Sequence, residues 1–138
     1  MGRVDTKIRL QNWTDIELVA LGKSKRKPRL VEVEALADTG AVKLYLRKSV
    51  ITQLGLRPIG EVTSRTMADR TVKRRVFSPV DCEILGRSCQ LSVMEIPDTL
   101  PNIVGQIPLE DLDLVVDCRR HKLIPNPAHK EGVMYDEF

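Results

Sequence analysis

Val33-Glu34-Ala35-Leu36-Ala37-Asp38-Thr39-Gly40-Ala41 is the stretch on which the reading turns. A run rich in apolar residues ends in a carboxylate, followed by a hydroxyl, a glycine and a small residue. Alternation over Arg29 to Ala37 predicts a strand, with Leu30, Glu32 and Glu34 on one side and Val31, Val33 and Ala35 on the other. That strand delivers Asp38. Gly40 is expected to accept positive φ and to let another backbone come close. A carboxylate held in such a turn by backbone N–H groups is fixed in direction, as a catalytic acid or base must be. Taken alone, Asp-Thr-Gly reads as a surface turn closing a strand, where Asp and Gly are ordinary residues. A second element changes that reading.

The chain of 138 residues suits one domain, 1–138. Its hydrophobic share of 42 % and charged share of 30 % are those of a globular protein, and this length buries a core without disulfide or metal staples. Aromatic residues make up only 4 %, so the core must be built from Val, Leu and Ile, which favours strands. The net charge of +3 is concentrated in Lys23, Lys25, Arg26, Lys27 and Arg29, and in Arg65, Arg70, Lys73, Arg74 and Arg75. These clusters read as solvated loop tips and strand edges. A nucleic-acid partner is disfavoured because no aromatic stacking platform interleaves with the charge.

Cys82, Cys89 and Cys118 are odd in number and lack paired spacing, so reduced core thiols are expected in place of a disulfide framework. With only His121 and His129, no zinc-ligand spacing forms, and no metal or cofactor is expected. Met1 to Lys7 is polar with no apolar segment behind it, and no run approaches transmembrane length. A cytoplasmic protein without a membrane partner is the expectation.

Val4 to Leu10 alternates as a strand, Gln11 to Asp15 reads as a turn, and Ile16 to Leu21 as a second strand ahead of a basic hairpin tip, Gly22 to Pro28. Beyond the Asp38 turn, Val42 to Leu46 is strand-like. Arg47 to Leu54 has helical spacing, with Val50, Ile51 and Leu54 on one face and Gly55 as its stop. Glu61 to Thr66 and Val72 to Phe77 form a hairpin around Met67-Ala68-Asp69-Arg70-Thr71. Ser78 to Leu85 and Ser88 to Ile96 form another through Gly86-Arg87, and Pro97 to Pro101 is a rigid connector. A short helix is predicted from Pro108 through Leu112, then two strands, Leu114 to Asp117 and Lys122 to Ile124, around a Cys118-to-His121 turn.

The second element is Ile103-Val104-Gly105, two apolar residues and a glycine ahead of that helix. Ala35-Leu36-Ala37-Asp38-Thr39-Gly40-Ala41 followed by strand, helix and Gly-Leu, then Ile103-Val104-Gly105 followed by a helix, resembles the retropepsin-like family of single-domain aspartic proteases. The match covers residues 29–125 and leaves 126–138 as a tail. The resemblance implies a mainly β fold, a closed and folded β-barrel with one short helix after the active-site strand and another near the C-terminus. It implies that Asp38 is catalytic, that Thr39, Gly40 and Ala41 form the active-site loop, and that Ile103, Val104 and Gly105 wall that loop. Met67, Ala68, Asp69 and Arg70 stand where the family carries its flap over the substrate. The family favours Gly at the flap tip. Here a broader turn is expected, with Arg70 and Lys73 reaching toward substrate.

The chemistry needs two carboxylates sharing a proton, one acting as base and one as acid. Asp38 supplies one, so the resemblance implies an aspartic endopeptidase acting as a homodimer on a peptide or protein substrate. Asp117 also ends an apolar strand but lacks the Thr-Gly that follows Asp38, and is read as opening the Cys118-to-His121 turn. His121 and His129 are expected to be exposed. The alternative is a non-catalytic protein-binding or dimerisation module that keeps the protease fold.

Overall fold

The computed structural model describes residues 3–138. In chain order these form β1 (Arg3–Asn12), α1 (Trp13–Ala20), β2 (Leu30–Asp38), β3 (Leu44–Arg47), α2 (Lys48–Leu54) and β4 (Pro58–Arg65). There follow β5 (Thr71–Ile84), β6 (Arg87–Ile96), β7 (Ile103–Val104), α3 (Gln106–Leu112), β8 (Leu114–Asp117) and β9 (Lys122–Pro125). The protein is mainly β. Its principal sheet has seven strands in the order β1-β2-β7-β3-β6-β5-β4, and β8 and β9 make a separate pair. Among the described residues no helix is long and apolar enough to cross a membrane.

A closed barrel is met only in part. β1 pairs with β2 from Arg3 to Gln11 and also meets β5 through Arg9, Leu10, Gln11 and Asn12, so the ladder turns back on itself. Closure is incomplete because β7 is two residues long and β4 hangs on β5 outside the turn. The core is aliphatic, as the scarcity of aromatics requires. Ile8, Leu10, Leu44, Leu46, Leu54 and Ile84 are fully buried, and Phe77 is the one aromatic among the core residues. Truncating any of these aliphatic side chains to Ala is worth about 2–5 kcal/mol.

Ile16 to Leu21 is not a strand, and Gln11 to Asp15 is not a turn. β1 runs on to Asn12, whose side-chain oxygen accepts from the Asp15 N–H at 3.1 Å and so caps α1. α1 buries no residue. It is held by its cap and by Arg29, whose guanidinium grips Asp15 through Nε at 2.9 Å and Nη2 at 3.0 Å. That grip holds the Asp15 carboxyl below the usual carboxylate range. The basic segment from Gly22 to Pro28 therefore joins a helix to β2 and is not a hairpin tip.

The Asn12 amide also donates to Leu54 O at 2.8 Å, at the end of α2. One buried side chain thus satisfies the start of one helix and the end of another. α2 buries Val50, Ile51 and Leu54 as the spacing predicts, and Gly55 closes it in the left-handed region at φ 65°. Two further strands differ from expectation. Val42 and Lys43 stay outside β3. Val72–Phe77 and Ser78–Leu85 merge into the single strand β5, with a bulge between Phe77 and Val80 that absorbs Pro79. In α3, Pro108 is the third residue and not the first. Cys82 is buried, Cys89 is half-buried and Cys118 is exposed, so Cys118 is not a core thiol.

The tail folds back on the α3–β8 corner. Asp113, left-handed at φ 54° and 7 % exposed, accepts from Asn126 Nδ2 at 3.1 Å and the Met134 N–H at 3.1 Å, and meets His129 Nδ1 at 2.5 Å. His129 is therefore half-buried, contrary to its reading as an exposed residue. Asp117 does open its turn, accepting from the Arg119 and Arg120 N–H groups.

Asn12→Ala is expected to cost about 2 kcal/mol, the sum of a lost cap and an unsatisfied carbonyl, and to lower the urea midpoint without changing the slope; an unchanged midpoint contradicts this double role. Burial works against ionisation of Asp113, but its bonds from His129, Met134 and Asn126 outweigh burial and hold its carboxyl below the ordinary value. Its stabilising effect is therefore complete above about pH 4 and is lost as pH falls through the lower folded value. The Met134 amide resonance is expected to move toward its unfolded position across that acid window; a shift that stays constant through it contradicts the role of Asp113.

Candidate active site

β2 delivers Asp38, and β7 explains why the chain turns there. The two residues of β7 are inserted between β2 and β3, parallel to one (Leu36 beside Ile103, Ala37 beside Val104) and antiparallel to the other (Leu44 beside Val104). The segment leaving Asp38 must cross the end of β7. Its carbonyls are then taken by the start of α3. Lys43 O accepts from the Gly105 N–H at 2.8 Å, Ala41 O from Gln106 at 2.8 Å, and Val42 O from Ile107 at 3.0 Å.

A Cβ on Gly105 would lie 2.6 Å from Lys43 O, 2.6 Å from the Val42 carbonyl carbon and 2.8 Å from that of Ala41. Gly105 has ordinary extended dihedrals, φ −86° and ψ −171°, so glycine is required there by space and not by conformation. Gly40 is corrected the other way. The glycines at positive φ are Gly22, Gly55, Gly86 and Gly132, and Gly40 is not among them.

The carboxylate of Asp38 is turned back onto its own loop. Oδ1 accepts from the Gly40 N–H at 2.9 Å, and Asp38 O accepts from the Ala41 N–H at 3.1 Å. Oδ2 meets Arg3 Nε at 3.2 Å, with the Asp38 side chain 14 % exposed and that of Arg3 64 % exposed. Arg3 stands opposite Asp38 in the β1–β2 register. Nothing near Arg3 in the chain signals this role, because it depends on the register in which β1 pairs with β2.

Asn102 is the other residue that motif reading passes over. It is 5 % exposed. Its Oδ1 accepts from the Arg47 N–H at 2.8 Å, its Nδ2 donates to Glu34 O at 3.1 Å, and its carbonyl accepts from the Leu36 N–H at 2.8 Å. It stitches β2 to β3 immediately before β7. A polar residue preceding the apolar pair was the available signal.

Asp38 opens into a cleft of about 350 Å³ between its loop and the β4–β5 hairpin. Of the expected site residues, Asp38, Gly40, Ala41, Met67 and Ile103 line it. Thr39 is half-buried beside Asp38, while Val104 and Gly105 lie behind the loop as support. Ala68, Asp69 and Arg70 do not line the cleft; Ser64, Arg65, Thr66 and Arg74 take that place.

The hairpin tip explains the change. Thr66 O accepts from the Asp69 N–H at 3.0 Å, the Thr66 N–H donates to Arg70 O at 2.8 Å, and Asp69 sits in the left-handed region at φ 58°. This is a three-residue loop in which Asp69 does what a tip Gly would do, since Asp tolerates that conformation. It turns Arg70 outward and leaves Met67 96 % exposed. Lys73 likewise lies outside the Asp38 cleft, in a groove with Lys48, Arg75 and Glu95 that Arg74 also borders.

Compared with models of known protein families and with curated proteins, the chain gives no match.

Gly105→Ala is expected to destabilise by about 1–3 kcal/mol, since the clashing atoms are backbone. Gly60→Ala, whose Cβ would meet nothing within 4 Å, is expected to stay within about 0.5 kcal/mol of the parent. Equal denaturation midpoints for the two variants contradict the close approach at Gly105.

Proposed function

We propose that the protein is an aspartic endopeptidase of the retropepsin-like kind, assembled as a homodimer in which each chain gives one Asp38. The observation that carries this is a carboxylate fixed by its own loop at the floor of a hairpin-covered cleft, with Gly105 packed against the loop backbone. A loop built this way holds its acid in one direction, and Val42, Tyr45, Met67, Ile96 and Leu100 offer apolar surface to an extended chain beside it. Such a chain would add to the site by main-chain hydrogen bonds, with side chains alternating into pockets.

One carboxylate cannot serve as both acid and base in a single step, so the reading requires a second copy. Across a two-fold axis the two Asp38 groups share one proton and titrate as a pair. The ionised group takes a proton from water as its oxygen bonds to the peptide carbonyl carbon. The protonated group gives its proton to the carbonyl oxygen, which neutralises the developing oxyanion. When the tetrahedral intermediate collapses, the C–N bond breaks, the nitrogen leaves with a proton from the acid pair, and a carboxylic acid and an amine are released.

A second reading, a non-catalytic dimerisation module on the same fold, draws on the Arg3–Asp38 contact. A carboxylate that already accepts from Gly40 and meets a guanidinium has its oxygens occupied within its own chain. The two readings part on activity. The purified protein is expected to cut an unfolded protein substrate at mildly acidic pH, and Asp38→Asn to reduce this by roughly a thousandfold or more with an unchanged circular dichroism spectrum. Arg3→Ala is expected to preserve or raise the rate. Cleavage that survives Asp38→Asn, or full activity from a species that sediments only as a monomer, rules the endopeptidase out. Dimers without cleavage in any of these variants favour the module.

A further inference from the structure

The underside of the β4–β5 hairpin carries a cation, Arg74, whose nearest acids are already engaged: Asp38 by Arg3 and Glu95 by Arg75. In the antiparallel register Val62 stands opposite Arg74 and Ser64 opposite Val72, so these side chains share one face. Ser64 and Arg74 line the Asp38 cleft, and Val62 and Ser64 line the groove that continues it. Arg74 is half-buried, whereas Lys73 and Arg75 on the opposite face are exposed.

The hairpin's other basic side chains with defined contacts meet carboxylates. Arg65 meets Asp69 at 3.7 Å, Lys73 meets Glu61 at 3.8 Å, and Arg75 meets Glu95 at 2.9 Å. Arg3, across the cleft, is engaged by Asp38. Arg74 forms no ion pair with any of the described residues. The cleft it lines has an apolar stretch, Val42, Tyr45, Met67, Ile96, Leu100 and Ile103, beside the charged Arg3, Asp38 and Arg65, each of which has an ion-pair partner. A guanidinium partly removed from water, facing aliphatic surface and lacking a partner, favours a planar carboxylate that it can grip with two N–H groups.

We infer that Arg74 is a specificity residue that selects an acidic side chain, Asp or Glu, of an extended peptide lying in the cleft beside Asp38, with aliphatic residues on either side of it. The inference deepens the endopeptidase reading and rests on it for cleavage, whereas capture of the peptide needs only the cleft and not a working acid pair.

The test uses the full chain carrying Asp38→Asn, immobilised and offered a random peptide library, with the retained peptides sequenced. Enrichment of Asp or Glu at one position by roughly tenfold over Asn or Gln is expected, decreasing as salt is raised. Arg74→Met in the same background is expected to abolish the enrichment, and Arg74→Glu to replace it with Lys and Arg. Arg74→Lys, which keeps the charge without the fork, is expected to keep a weaker acidic preference, and serves if the other variants do not fold. Retention of no peptide, retention without acidic enrichment, or enrichment that persists in folded Arg74→Met overturns the assignment. The same library digested with the parent protein separates the two readings. Acidic capture without any Asp38-dependent cleavage counts against the endopeptidase alone, and cleavage indifferent to acidic residues counts against the role of Arg74 alone.

Discussion

The contact between Gly105 and the backbone of residues 41–43 is the constraint from which the site follows. β7 is too short to hold its place by its own ladder, with two residues paired on each side. It is held because the three carbonyls of the loop leaving Asp38 are taken by Gly105, Gln106 and Ile107. That places the start of α3 under the loop, which in turn presses Ala41 to Lys43 against a position where no side chain fits. Buried backbone groups must find partners. Here the partners of the loop come from a segment more than sixty residues away in the chain, so the direction of Asp38 depends on the folding of the whole sheet and not on the turn alone.

The hairpin above the cleft is built on the opposite principle. β4 is exposed along nearly its whole length and pairs only with β5. Its tip closes with a left-handed Asp69 in place of glycine. Asp in that conformation is tolerated at a modest cost, where Gly would incur little or none. The rigid floor and the weakly supported cover therefore differ in what holds them. The floor is fixed by inserted backbone, and the cover by a single ladder and a tight loop. The fully buried core lies beneath the floor, and exposed Met67 lies at the end of the cover.

How much of this the sequence discloses depends on whether a feature is local. Gly55 as the stop of α2, the face of Val50, Ile51 and Leu54, the strand ending at Asp38 and the turn opened by Asp117 all follow from spacing and from residues that act on their immediate neighbours. Gly105 is marked only through the family resemblance, since the backbone that crowds it comes from residues 41–43. What reading by pattern misses is set by partners far away. Ile16 to Leu21 has apolar content suited to a strand, but the helix is decided by the Asn12 cap and by Arg29 closing on Asp15. Arg3 reaches Asp38 only through the β1–β2 register. Arg70 ends the loop outside the cleft while Arg74, inside β5, lines it, a difference set by where the hairpin closes.

The Arg3–Asp38 contact sets the terms for any pairing of two copies. It is a single Nε contact at 3.2 Å from a guanidinium whose side chain is 64 % exposed. A pair of that kind is worth at most about 1 kcal/mol. Two ionised carboxylates brought to about 4 Å repel by roughly 4 kcal/mol near a protein surface. The larger effect governs: two such contacts would compensate only part of the repulsion, so the proposed dimer would need one shared proton to relieve the rest. Arg3 is then a counter-ion to Asp38 in the single chain and adds little to the support the loop has from Gly105, Gln106 and Ile107. In the proposed dimer so weak a contact would give way to the second carboxylate. Were Arg3 bound through both edges and buried, the balance would run the other way, and the same loop would hold a salt bridge instead of an acid.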